Sequence, residues 1–500
     1  MNSPGNSAGG LKELAGEIVD NEGVPVNYLH VAAALEVMGI TDKVIRERYG
    51  YRDSFALSKD LLRECRRASG RPYSGGDRRR PKRSLDLGLL LTCCIRGTLM
   101  LFPVMLSLLV LAFGIRSVWG DTQTGQQQVN SLALALVLSM IVAGGYARSL
   151  SHRLNEALAR PVHGNLFRIS YVYTIVATAT AVLGSVIVLF MFDSFDDWVL
   201  LVNVTFLSFI WMAIAILFAI KRDWLFAPLY AAGVALAVVL KLVLHLDFIE
   251  SEGLGIIFIS FALLGYSLYN LSNLPTGRRV NISTSLGLIL GRLFTGHFFF
   301  GFFYFSVLFA DRLINWTNRG FFFFRPSYEV SLDIAIFSLL FGTGILEYRM
   351  TIFWKRIINC RRSGQEQVAS QLTRFLLRSL AFYSIAAVMG VAISLALAFS
   401  LDAGQDDAVV LAAAPAYALL AWGAFACNLY TGFRRCAIPL LIGITALSVD
   451  LVLGLWLSEN GNQDMTAAGL LAGGLVFFLA GCFLLLYIIR NYTYLKYSST

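Results

Sequence analysis

The sequence predicts an all-α polytopic membrane protein: twelve transmembrane helices in two parallel six-helix repeats, behind a small N-terminal cytoplasmic helical module. Three observations predict it. Hydrophobic residues make up 57% of the 500 and charged residues only 15%, where soluble chains carry nearer 25% charged, and mean hydropathy is +0.65. Twelve apolar runs of about 20 residues follow one another, each long enough to cross a hydrocarbon core of about 30 Å. Lys and Arg fall almost entirely on alternate connections.

Residues 1–85 form the extended polar region. Apolar residues recur there at helical spacing, as in Val31–Leu35 and Phe55–Leu57 with Leu61-Leu62, and Gly39 and Tyr49-Gly50-Tyr51 punctuate them. We read a module of about three helices over 1–65, then a basic juxtamembrane linker over 66–85. The linker holds eight Lys and Arg, suited to an anionic leaflet. It reads first as a stop on translocation, with a lipid-responsive switch as the alternative. Met1 is followed by polar and glycine residues, so no cleavable signal peptide is expected.

The expected spans are 86–115, 130–148, 168–192, 198–220, 224–246 and 253–272, then 287–310, 329–350, 376–400, 408–430, 437–457 and 466–489. With the N-terminus inside, inner connections and the C-terminal tail hold nineteen Lys and Arg. Outer ones hold four, Arg116, Arg312, Arg319 and Arg325. The positive-inside rule then puts both termini in the cytoplasm.

The two halves match connection by connection, which divides the membrane region into bundles at 86–280 and 281–500. A long basic connection follows the second span (148–168) and the eighth (349–378). A short acidic one follows the third (Asp193, Asp196, Asp197) and the ninth (Asp402, Asp406, Asp407), and Pro228-Leu229 answers Pro439-Leu440. Each half has an even number of spans, so the repeats are parallel, related by an axis along the membrane normal. That architecture serves alternating access.

Soluble-enzyme chemistry is not written here. There is no phosphate-cradling G-x-x-x-x-G-K-[ST], no H-E-x-x-H and no G-x-S-x-G. The five histidines are scattered, and the seven cysteines include no C-x-x-C and read as apolar packers. No enzyme, cofactor, metal or nucleic-acid partner is expected. Asp196-Asp197 on a short outer connection reads as a solvated turn.

Ionisable groups within the bilayer are costly and by default functional. Asp450, deep in the eleventh span, is the first candidate for ion coupling or substrate contact, against a structural pairing with a basic residue. Asp333 and Glu347 lie near opposite ends of the eighth span, Lys241 near the outer end of the fifth. Arg96 and Arg292 occupy equivalent places near the inner ends of the first and seventh, where they snorkel or meet a lipid phosphate. Between Phe298 and Tyr328 the chain is unusually aromatic, with Trp316, Arg312, Arg319 and Arg325 interleaved. That stretch suits an interfacial belt, or a portal whose rings stack on sugars and whose arginines meet anions. Gly469-x-x-x-Gly473 is a close-packing motif.

Tyr304-Phe305-Ser306-Val307-Leu308-Phe309-Ala310-Asp311-Arg312-Leu313-Ile314-Asn315-Trp316 resembles the Tyr…Ala-Asp-Lys…Trp segment of the Pel exopolysaccharide exporter membrane protein family. Tyr328-Glu329, Ser338, Gly342 and Arg349 fall where that family has Tyr-Asp, Ser, Gly and Arg. The basic segment from Ala147-Arg148 to Phe167 is similar to its connection after the second span. The family's short Gly-Ile-Gly-Phe opening is replaced here by the 85-residue module, and its Gly-Pro-Trp has no match beyond Phe102-Pro103. The resemblance implies membership of the multidrug/oligosaccharidyl-lipid/polysaccharide flippase superfamily. It implies export of a polysaccharide or lipid-linked saccharide across a bacterial inner membrane, with a cytoplasmic glycosyltransferase and other membrane subunits as partners. Two alternatives stay open: a small-molecule/cation antiporter of the same superfamily, and a non-transporting subunit of a polysaccharide synthase.

Overall fold

The computed structural model describes residues 7–22, 25, 28–70, 87–99, 125–158, 166–273, 293, 295–318, 321–359, 365–401, 406–433, 435–460 and 463–498. The chain divides into two compact units, residues 1–86 with 351–372 and residues 87–350 with 373–500.

In the first unit, helices α1 (Ser7–Glu22) and α2 (Tyr28–Val37) pack on α4 (Ser54–Gly70), and a short α3 (Asp42–Val44) runs into a π turn. Leu14, Ile18, Val31, Leu35, Leu57, Leu61 and Cys65 form its core. The glycines read as punctuation, Gly39 and Gly50, both take left-handed φ near +75°, which glycine adopts without steric cost. Burial pushes the Cys65 thiol up to about 11, and its Sγ donates to the Ala15 carbonyl at 3.7 Å. Thiolate is the reactive form. In the native full-length protein at pH 7, Cys65 should therefore react with maleimide at least tenfold slower than after denaturation, read by mass spectrometry of its peptide.

The described part of the second unit is nearly all helical, residues 351–372 of α13 and α14 belonging to the first: α5 (Leu87–Leu99), α6 (Gln126–Leu158), α7 (Leu166–Met191), α8 (Asp197–Ala219), α9 (Phe226–Leu244), α10 (Phe248–Ser272), α11 (Gly296–Trp316), α12 (Pro326–Ala335), α13 (Phe337–Asn359), α14 (Gln365–Leu401), α15 (Asp407–Thr431), α16 (Ala437–Glu459) and α17 (Ala467–Ser498). A two-residue-per-strand hairpin, β1 (Thr317–Asn318) and β2 (Phe321–Phe322), follows α11. Among the described residues eleven helices, counting α12–α13 as one, are long and apolar enough to cross a membrane. Helix α5 is the described part of the first expected span. Helices suit this role because every backbone donor and acceptor is satisfied within the segment. The protein is an all-α polytopic membrane protein.

Helices α6 to α10 pack among themselves, as do α11, α12 and α15 to α17, and α6 against α11 joins the two groups. Ser338 of α13 bonds the Ala414 carbonyl of α15, and Ser394 of α14 the Ala335 carbonyl of α12. We call the end at which α5 enters proximal and the other end distal. One device recurs in both groups. Asp196 caps α8 by accepting from Val199 N (3.1 Å), and its own N–H donates to Ser131 Oγ (2.7 Å). Asp406 caps α15 by accepting from Ala408 N (2.9 Å), and its N–H donates to Ser331 Oγ (2.8 Å). The expected solvated turn at Asp196-Asp197 is thus a helix cap tied to a neighbouring helix.

The seventh helix departs from expectation. The hydropathy run ends near 310, but α11 continues through Trp316 and carries Asp311 and Arg312 inside it. Charge looks like a helix end only when the partners that neutralise it are unseen, and here they come from α12. Arg148, expected in a connection, lies within α6, which continues to Leu158.

Candidate functional site: a buried charge cluster in the second bundle

Five acidic and basic residues converge in the distal half of the second bundle. Asp311 and Arg312 sit in the last two turns of α11, Glu329 and Asp333 on one face of α12 at i, i+4 spacing, and Asp450 in α16. Asp311 and Asp450 are 0% exposed and Arg312 3%. Pro326 at the start of α12 favours helix initiation there, which brings Tyr328 and Glu329 to the end of α11.

Arg312 is the cation of the group. It pairs with Glu329, and its Nη2 lies 3.4 Å from Asp333 Oδ1. Its guanidinium covers the Phe309 ring, 5.2 Å from the centroid, and the Tyr417 hydroxyl of α15 faces it. Asp311 turns the other way: Oδ2 accepts from the Tyr328 hydroxyl at 3.1 Å. Tyr328 Oη in turn accepts from Thr466 Oγ1 at 2.9 Å, and Asn315 Nδ2 donates to the same Thr466 Oγ1 at 3.3 Å.

Asp450 is the exception. Among the described residues neither of its carboxylate oxygens has a hydrogen-bond donor, and Asp311 Oδ1 and Glu329 Oε2 also lack one. Its charged neighbour is another carboxyl, Asp311. The close crossing of α16 and α17 holds it in place. A Cβ added at Gly469 would stand 2.8 Å from the Asp450 carbonyl and 2.9 Å from Oδ1, and one at Gly473 would stand 3.0 Å from the Asp450 Cβ. The Gly469-x-x-x-Gly473 motif therefore seats this carboxyl as well as packing two helices.

The other sequence candidates divide. Arg96 of α5 makes a two-pronged pair with Asp223, Nε to Oδ2 at 2.7 Å and Nη2 to Oδ1 at 3.0 Å, and Glu347 of α13 faces both. This second group is proximal and joins the two bundles, so Arg96 is held by a carboxylate rather than snorkelling. Trp316 is 1% exposed and packs on Phe322 and Phe324. Lys241 lies in the last turn of α9, in the first bundle. Arg292 falls outside the described residues. The aromatic run is no interfacial belt along its α11 part: Phe298 and Phe300 are buried, with Phe298 against Tyr146 of α6 at 4.6 Å. Arg312, read as an outer-connection cation, is buried within a helix.

Sequence reasoning missed Asp223, Tyr417, Thr466 and the proximal contact between α6 and α11. There Gly144, Gly145 and Gly301 bring the backbones together. Arg148 reaches Asn428 and covers Phe300 at 5.1 Å, and the His152 and His297 rings stack at 3.8 Å. Scattered histidines meet because the two helices run side by side, which spacing along the chain does not reveal. Glu329, named with Tyr328 in the resemblance, also carries a readable signal of its own in its four-residue spacing from Asp333.

Among the described residues no group of three or more His, Cys, Asp or Glu is placed to hold a metal ion. No family model matches the chain. No curated protein matches it. Among solved structures, the chain is similar to the crystal structure of the Vibrio cholerae MATE transporter VcmN in the bent form, with a TM-score of 0.54 and 12% identity over 82% of this chain and 99% of that one. At that identity the likeness establishes the fold alone.

Proposed function

We propose that the chain is a transporter of the multidrug/oligosaccharidyl-lipid/polysaccharide flippase superfamily. In this reading it exports a polysaccharide or lipid-linked saccharide from a bacterial cytoplasm by alternating access between its two bundles. The observation that carries this reading is a coincidence of two sets of residues. Those that resemble the Pel exporter family are the ones that build the buried network: Asp311 with Tyr328, Arg312 with Glu329, and Trp316 under the hairpin. The remaining members of the set are used too. Ser338 Oγ donates to the Ala414 carbonyl at 2.6 Å, and Gly342 faces Tyr383 of α14. Arg349 Nε donates to Ser379 Oγ at 2.8 Å.

The two charge groups then have distinct work. The proximal contacts, Arg96–Asp223 with Glu347 and His152 on His297, close the cytoplasmic side and must part for substrate to enter. Asp450 and Asp311 supply the coupling. An unpaired carboxylate in a dry interior is unfavourable by several kcal/mol, so this pair holds a proton or a small cation in one state and releases it in another. A bundle that binds the ion in only one arrangement turns an ion gradient into a population shift.

The fold likeness to a MATE transporter favours a second reading, a small-molecule/cation antiporter using the same carboxyls. Following newly labelled sugar in cells with and without the chain separates the two. Loss of external polymer with accumulation inside supports export. Unchanged polymer in both fractions contradicts it and favours the antiporter, and loss from both fractions favours a synthase subunit that moves nothing.

A further inference from the structure

At the distal junction of the bundles lies a cavity of about 460 Å³, within the usual range of small-ligand clefts, about 300–1,000 Å³. The first bundle contributes Gln126 and Gln127 at the start of α6 and Phe192 and Asp193 from the connection after α7. The second contributes Phe322, the last residue of the hairpin, and Phe323 just past it. Asn130 fixes the join: its Nδ2 donates to the Ser194 and Phe322 carbonyls at 3.1 and 2.9 Å, and its Oδ1 accepts from Phe324 N at 2.9 Å.

Gln126 Nε2 gives one N–H to Asn130 Oδ1 at 2.9 Å, and Gln127 Nε2 one to the Asp193 carbonyl at 3.3 Å. The second N–H and the carbonyl of each amide, the Ser194 hydroxyl and the Asp193 carboxylate remain to a ligand. Phe323 is 54% exposed and offers an aromatic face. No Lys, Arg or His is among the described lining residues. Neutral amides and a hydroxyl beside an aromatic face suit a ligand rich in hydroxyls with an apolar C–H face, and the Asp193 carboxylate, with no cation among the described lining residues, repels a phosphate or carboxylate.

We propose that this cavity is a distal subsite for uncharged pyranose units, through which the sugar leaves the bundle interface. The inference rests on the saccharide-export reading and narrows its substrate to sugars without an acidic group at this point. Ring stacking on Phe323 supplies affinity, and hydroxyl donation to Asp193, Gln126 and Gln127 sets orientation.

The test titrates the full-length protein in lipid nanodiscs with a neutral β-linked glucose hexasaccharide, with oligogalacturonate of equal length, and with inorganic pyrophosphate. The neutral probe should bind, the two anions at least tenfold more weakly. Phe323→Ala and Asp193→Asn should each weaken the neutral probe about five- to tenfold, and Phe323→Trp should retain it. Both side chains are exposed, so folding is not at stake. The subsite is overturned if the neutral probe does not bind at millimolar concentration, if both variants bind it as the parent does, or if an anion binds as tightly. Export of labelled sugar in cells is scored separately. Binding without chain-dependent export supports the subsite and contradicts the transport reading. Chain-dependent export without binding contradicts the subsite alone.

Discussion

Replacing Arg312 by methionine is expected to be the most destabilising single change in the second bundle. The methionine fills much of the space but leaves Glu329 and Asp333 without the cation they pair with now. It also leaves Asp311, already short of one donor, next to a purely acidic neighbourhood. Breaking a buried pair by removing one partner costs about 3–5 kcal/mol, a large share of the stability of a folded protein. Thermal unfolding in detergent, followed by Trp fluorescence, should show a lowered midpoint and reduced yield of monodisperse protein. Adding Glu329→Gln and Asp333→Asn to the methionine variant should recover most of the loss, because it is charge imbalance rather than lost volume that does the damage. An unchanged midpoint in the single variant would mean that the cluster is open to water and screened.

Asp450→Asn should do the reverse, sparing the fold and stopping the work. The amide is nearly isosteric, so it fits the crossing under Gly469 and Gly473, and it removes a carboxyl that has no donor and faces another carboxyl. Its midpoint should match or exceed that of the parent. Chain-dependent appearance of labelled sugar outside the cell should fall at least tenfold, as an amide cannot take up and release a proton or match a cation's charge. Full export by this variant would remove Asp450 from the coupling scheme and leave it a packing residue.

The architecture was legible because its signals are local. Apolar runs of spanning length, the charge of alternate connections and the paired Pro228 and Pro439 are all read along the chain, and they place eleven helices and the start of another close to where they lie. Asp450 stood out for the same reason, as a charge in the middle of an apolar run. What stayed hidden depends on contact between distant segments. Asp311 and Arg312 looked like the end of a helix because α12, which neutralises Arg312, begins a hairpin later. Arg96 looked free because Asp223 sits beside Lys221 and Arg222, in what reads as an ordinary basic turn. His152 and His297 share no spacing at all, and only the packing of α6 on α11 stacks them. Lys241 marked nothing that the clusters use, since a lysine near a helix end reaches water by its own length.

Alternating access itself is tested most directly at the proximal contact. His152→Cys and His297→Cys, made together, place two thiols where the rings now stack, and a short bifunctional thiol reagent with a reducible linker would tie α6 to α11. Each single variant, treated alike, controls for the native free thiols, Cys436 above all, which packs against Gly296 next to His297. The account predicts that bridging the double variant halts export of labelled sugar, that reductant restores it, and that neither single variant responds. Export continuing at its full rate through a chain shown to be bridged would contradict it.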